Sequence, residues 1–98
     1  MKINTQTVNF NADASLIEFL ERRVQKLSLF YDQIIDVDVY LKVENTSVKE
    51  NKISEIKVNI PKDSLIVKKQ CKTFEEAIDN ACDAAERAIV KLKEKRKS

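Results

Sequence analysis

Asp36-Val37-Asp38-Val39-Tyr40-Leu41-Lys42-Val43 alternates polar and apolar side chains without a break. Successive side chains of a strand point to opposite faces, so Val37, Val39, Leu41 and Val43 share one face and Asp36, Asp38, Tyr40 and Lys42 the other. A strand over 34–44 is predicted, with one face buried and one in water, as in a sheet covered on a single side. Working outwards, Ile56, Val58 and Ile60 repeat the alternation in a strand that begins near Ile53. The polar run from Asn45 to Glu50 between them reads as a loop. Pro61-Lys62-Asp63-Ser64 has the composition of a turn. Residues 65–72 read as a further strand in which Leu65, Val67 and Cys71 share a face and Lys69 breaks the pattern. Before all of these, residues 2–10 are rich in β-branched and aromatic side chains and read as a strand, with an alternation too imperfect to fix its inward face.

Two stretches carry helical spacing instead. Asp13 is a candidate N-cap for a helix over 14–30. Leu16, Leu20, Val24, Leu27 and Tyr31 fall on one stripe of that helix. Thr73-Phe74-Glu75-Glu76 has the capping-box form and opens a long helix to about Lys95. Its apolar side is Phe74, Ala77, Ile78, Ala81, Ala85, Ala88, Ile89 and Leu92, with alanines that let another helix approach closely. The order strand, helix, strand, strand, strand, helix predicts an α+β fold in two layers, β-α-β-β-β-α. The helical crossover makes the first strand pair parallel. The remaining strands form a meander, and both helices cover one face of a four-stranded sheet.

Composition bounds the function. The chain has 98 residues, 43% of them hydrophobic, which is one domain with one core. No apolar run exceeds three residues and the N-terminus lacks a signal pattern, so neither a membrane span nor a leader is predicted and the protein is expected in the cytoplasm. The chain has two cysteines, no histidine and no glycine. That excludes a four-ligand zinc set and glycine-rich phosphate loops, and it removes the usual general base. Asp36 and Asp38 point the same way from one strand, which fits either a paired-carboxylate site or a solvated face. Ser28, Ser47, Ser54 and Ser64 have no base that the sequence pairs with them. No enzyme activity, cofactor or small-molecule substrate is expected.

Charge is the informative property. Arg87, Lys91, Lys93, Lys95, Arg96 and Lys97 face only Glu94 in the last twelve residues, while the whole chain carries +2. Arg87, Lys91 and Lys95 recur every fourth residue and so form one stripe. Opposite them, Asp79, Asp83 and Glu86 flank the other side of the apolar surface. On the first helix Arg22, Arg23 and Lys26 cluster on one edge, with Phe19 and Phe30 in the same arc as core-edge residues. If the basic edges of the two helices adjoin, they make a single patch suited to phosphates. A solvated helix face with favourable dipole interactions is the competing reading. The open sheet face offers Tyr40 as its one aromatic, a poor match to a base-stacking sheet.

Several segments together resemble the ribosome hibernation-promoting factors, also called ribosome-associated inhibitor A and earlier the sigma-54 modulation family. They are Phe10-Asn11-Ala12-Asp13, Lys26-Leu27 with Phe30-Tyr31-Asp32, Val39-Tyr40-Leu41-Lys42-Val43-Glu44 and Lys72-Thr73-Phe74-Glu75-Glu76-Ala77-Ile78-Asp79. The resemblance spans the chain. It implies a fold similar to a double-stranded RNA-binding domain. It also implies binding to the small ribosomal subunit between head and body, where the protein occludes mRNA and the A- and P-site tRNAs in stationary phase or stress. The family's RNA-contacting positions match Arg23 and Lys26, with Arg22 beside them, and Arg87, Lys91, Lys93 and Lys95; Lys93 lies off the stripe. Gln33 stands where relatives often carry a basic residue. A chain ending at Ser98 is expected to be a short form without a self-dimerisation domain, with residues 93–98 frayed. The other readings are a free double-stranded RNA binder and a protein-interaction module that modulates a transcription factor.

Overall fold

The structure is a computed structural model that describes residues 1–44 and 49–97, the side chains of residues 96 and 97 excepted. Most of the expected 45–50 loop, Ser47 among it, therefore lies outside the described residues, as do Ser98 and the side chains of Arg96 and Lys97. The elements are β1 (Lys2–Val8), α1 (Ala14–Gln25), a 3₁₀ turn (Lys26–Leu29), β2 (Asp36–Val43), β3 (Lys52–Ile60), β4 (Asp63–Cys71) and α2 (Phe74–Lys97). The sheet order is β1-β2-β3-β4. β1 is parallel to β2, and the other two pairings are antiparallel. This is the predicted α+β architecture.

Register shows why the alternation in β2 decides the fold. Val37, Val39 and Leu41 pair with Val58, Ile56 and Ser54 of β3 and with Ile3, Thr5 and Thr7 of β1. In turn Val58, Ile56 and Ser54 oppose Leu65, Val67 and Lys69 of β4. These rows form the helix-side face, and β1's inward set is settled as Ile3, Thr5 and Thr7. Leu20, Val24 and Leu27 from the α1 side and Ile78, Ala81, Cys82, Ala85 and Ile89 from α2 close over it, all fully buried. Burying a Leu, Ile or Val is worth about 1.5–3 kcal/mol each, so this layer dominates stability. The outward face carries Asp36, Asp38 and Tyr40. Asn59 Nδ2 donates to Asp36 Oδ1 at 2.5 Å and to Asp38 Oδ2 at 3.0 Å, and Asn4 Nδ2 donates to Asp38 Oδ1 at 3.0 Å. The two aspartates are thus spread across an amide lattice, and no metal-binding group occurs among the described residues.

Both predicted caps are present. Asp13 Oδ1 accepts from Leu16 N at 2.8 Å, and Thr73 Oγ1 accepts from Glu76 N at 3.2 Å. The expected helix over 14–30 is shorter: it gives way to the 3₁₀ turn after Gln25. Ser28 Oγ donates to Gln25 O at 2.8 Å, a local bond that competes with the helical ladder and tightens the last turn. The expected four-residue turn is also tighter. Ile60 pairs with Asp63, so only Pro61 and Lys62 connect β3 to β4, and Lys62 sits at φ 67°. β1 stops at Val8 rather than residue 10, because Asn9 takes φ 69° and ends the extended run. Its side-chain amide donates to Val43 O at 3.2 Å. The long helix continues two residues beyond the predicted Lys95.

Candidate nucleic-acid interface

The two helices run in the same direction. Phe10 and Phe74, which flank their N-terminal ends, stack with centroids 4.4 Å apart. Further along, Arg23 of α1 meets Asp79, Asp83 and Glu86 of α2. Its Nε lies 2.7 Å from Asp79 Oδ1, its Nη2 3.3 Å from Asp83 Oδ1 and its Nη1 3.5 Å from Glu86 Oε1. Nη2 also donates to the Asp79 carbonyl at 3.3 Å. The Arg23 side chain is 18% exposed, whereas Asp79 and Asp83 are about half exposed. Hydrogen bonding to Asp79 raises the already high pKa of Arg23 against the opposing cost of burial. Directly behind, burial pushes the Cys82 thiol up to about 12; Arg23 draws it down, and Glu86, Asp79 and Asp83 add to the rise.

This arrangement corrects the packing expected from the sequence. The basic edge of α1 adjoins the acidic edge of α2, not its basic edge, so the two cationic margins do not fuse. The reason is rotational. Glu86, Asp79 and Cys82 share the side of α2 turned to α1; Arg87, one turn after Asp83, faces solvent, and Lys91 and Lys95 carry the row round toward β4. There Lys91 and Lys95, with Glu94 between them, line a groove of about 490 Å³ whose floor is Leu65 of β4 with Ala88 and Leu92. Attraction between Arg23 and three carboxylates favours this face, while two basic edges brought together would repel.

The remaining candidates distribute around this axis. Lys93 lies two turns after Glu86 and so on the α1 side of α2, off the stripe. Lys26 opens the 3₁₀ turn three residues after Arg23 and is exposed. Arg22 lies on the β1 flank of α1, beside Ile3, Glu18, Glu21 and Gln25. Arg22, Lys26, Arg87, Lys91 and Lys93 enter no ion pair among the described residues. Phe19 and Phe30 pack partly buried against the core, as expected of core-edge residues. Gln33 Oε1 accepts from the Tyr31 hydroxyl at 3.2 Å. The structure therefore gathers Arg87, Lys91 and Lys95 along one open edge. Lys26 and Lys93 lie toward the C-terminal end of the helix–helix seam, and Arg22 and Arg23 are elsewhere. Arg23's partners were visible in the sequence as carboxylates at i, i+4 and i+7.

A family model for "Sigma 54 modulation protein / S30EA ribosomal protein" matches residues 3–97. The chain belongs to this family. Its members are ribosome-associated factors, not an enzyme family, and the resemblance read from the residues stands. Among solved structures, the Thermus thermophilus Protein Y N-terminal domain superposes with a TM-score of 0.80 at 20% identity, covering 94% of this chain and 99% of that one. A ribosomal subunit interface protein from Coxiella burnetii superposes with a TM-score of 0.82 at 18% identity, covering 95% and 98%. At such identities the likeness establishes the shared fold. No curated protein sequence matches. No helix among the described residues is long and apolar enough to cross a membrane.

Proposed function

We propose that this protein is a cytoplasmic hibernation factor that binds rRNA of the small ribosomal subunit between head and body and blocks translation by occupancy. The observation that carries the reading is the open cationic edge of α2. Arg87 and Lys91 are exposed and enter no ion pair among the described residues, and Lys95 continues their row. Family membership supplies the ribosome as the polyanion. Phosphate oxygens would be held by Arg87, Lys91 and Lys95, with Lys93 and Lys26 contributing from the other side of the helix end. Arg22 stands apart on the β1 flank. Arg23 acts in helix packing, since its guanidinium already donates to three carboxylates and one carbonyl. Inhibition is by bulk: a body of 47 × 24 × 19 Å seated in the mRNA and tRNA path excludes both.

Co-sedimentation with purified small subunits tests the reading. Wild-type protein should pellet with them, and about five phosphate contacts imply a loss of about 500-fold in affinity between 50 and 200 mM salt by the duplex rule. The Arg87→Glu, Lys91→Glu double variant should stay in the supernatant. Unchanged pelleting of that variant would refute the assigned edge. Pelleting that survives only while ribosomal proteins are intact would favour the protein-interaction reading.

A further inference from the structure

One charged residue left over from the sequence pattern has a place in this geometry. Lys69 interrupts the apolar face of β4, yet register puts it on the helix-side face, opposite Ser54 and in phase with Leu65, Val67 and Cys71. Two contacts bracket its position along α2. Leu65 floors the groove with Ala88, Lys91 and Leu92, and Cys71 Sγ accepts from Asn80 Nδ2 at 3.3 Å. Lys69, between these points, lies alongside the α2 segment from Asn80 to Arg87. β4 is an edge strand, so nothing in the sheet covers that side. Lys69 is exposed there and enters no ion pair among the described residues. Its neighbour Lys68 differs: it points to the outer face and stands opposite Glu55.

We infer that the β4 edge extends the RNA-binding surface, with Lys69 beside the Arg87 end of the row and short of the groove that Lys91, Glu94 and Lys95 line. The ligand is the sugar–phosphate backbone of an RNA strand lying along the α2/β4 seam. Charge complementarity selects this occupant, because Lys69, Arg87, Lys91 and Lys95 outnumber Glu94, the one carboxylate lining the groove, and the floor offers Leu65, Ala88 and Leu92 to the sugar edge. The inference rests on the RNA-binding reading above and extends it from helix to sheet. A lysine on an edge strand also has a purely protective role, since it discourages strand-to-strand aggregation. The two roles separate by charge sign, because glutamate guards an edge as well as lysine does but repels phosphate.

The experiment measures affinity for small subunits, and for protein-free small-subunit rRNA, across a series of KCl concentrations. Lys69→Gln should lower the slope of log affinity against log salt by about 0.9, the value of one phosphate contact. Lys69→Glu should bind more weakly still, and Lys69→Arg should bind as wild type. Lys68→Gln removes the same charge one residue away on the opposite face and should change nothing. The inference is overturned if Lys69→Glu and Lys68→Gln both bind as wild type while Lys91→Gln lowers the slope, for then the RNA surface is confined to α2. It is overturned together with the RNA-binding reading if Lys91→Gln also leaves the slope unchanged. Loss of binding to subunits but not to protein-free rRNA would overturn it in favour of an acidic ribosomal-protein segment in the groove.

Discussion

The two long edges of α2 carry opposite charges and meet opposite fates. On the α1 side, Asp79, Asp83 and Glu86 enclose Arg23 in a half-buried bracket. Away from α1, Arg87 and Lys91 are exposed and enter no ion pair among the described residues, although Glu94 lines the same groove as Lys91. One helix thus uses charge twice, once to fix its neighbour and once to stay available. The lesson is that an arginine's role follows from what it faces. Arg23 and Arg87 look alike in the sequence, but only Arg23 is held by carboxylates among the described residues.

Reversing the available edge should have the largest effect. Arg87→Glu with Lys91→Glu replaces two attractions by two repulsions, and subunit affinity should fall by about 10²-fold or more, with thermal stability unchanged. Equal losses of binding and of melting temperature would erase the distinction between the two edges.

Breaking the bracket should act on stability instead. Arg23→Ala leaves three carboxylates facing one another and should cost about 1–3 kcal/mol, between the values for exposed and buried pairs. Denaturant unfolding measures this. The salt slope of subunit binding should not change, because no phosphate contact is lost. The swap Arg23→Asp with Asp79→Arg should recover part of the stability, and a swap that recovers none would show that the pairing is incidental. Asp83→Asn should cost under about 1 kcal/mol, since Asp83 is about half exposed and its contact is long.

Cys82 reports the bracket by chemistry. Its folded-state pKa of about 12 lies above the ordinary thiol value, so its contribution to stability is complete below about pH 8.5 and is lost as pH rises toward 12. Native protein at pH 8 should therefore alkylate at Cys71 and spare Cys82, which is fully buried. Arg23→Ala should speed Cys82 alkylation by loosening the helix pair. Mass spectrometry of the modified peptides gives both rates. Equal reaction of the two thiols in the native wild type would mean that the α1–α2 seam opens freely.

The fold was legible because its signals are local. Strict alternation over 36–43, the caps at Asp13 and Thr73 and the helical stripes each depend on neighbours in the chain, and the structure keeps all of them. The 3₁₀ turn is not legible because Leu27 and Tyr31 sustain the apolar period while Ser28 diverts a carbonyl, a geometric event that spacing does not record. The site was half legible. Each helix showed which rim was basic and which acidic, but which rims meet depends on how both helices are rotated on the sheet. Complementary charge was the available clue: Arg23 against carboxylates at 79, 83 and 86. In the sequence Lys69 is only an irregularity of an apolar face, because its surroundings depend on β4 being the edge strand beside α2.

The hairpin tip carries a consequence of a different kind. This chain has no glycine, yet the link between β3 and β4 requires φ 67° at Lys62, a conformation that costs an ordinary side chain about 1–2 kcal/mol. The fold is therefore not tuned to its ceiling. An achiral residue at that corner would relax the bend, giving engineers a more heat-tolerant version to label or crystallise without altering the exposed cations of α2.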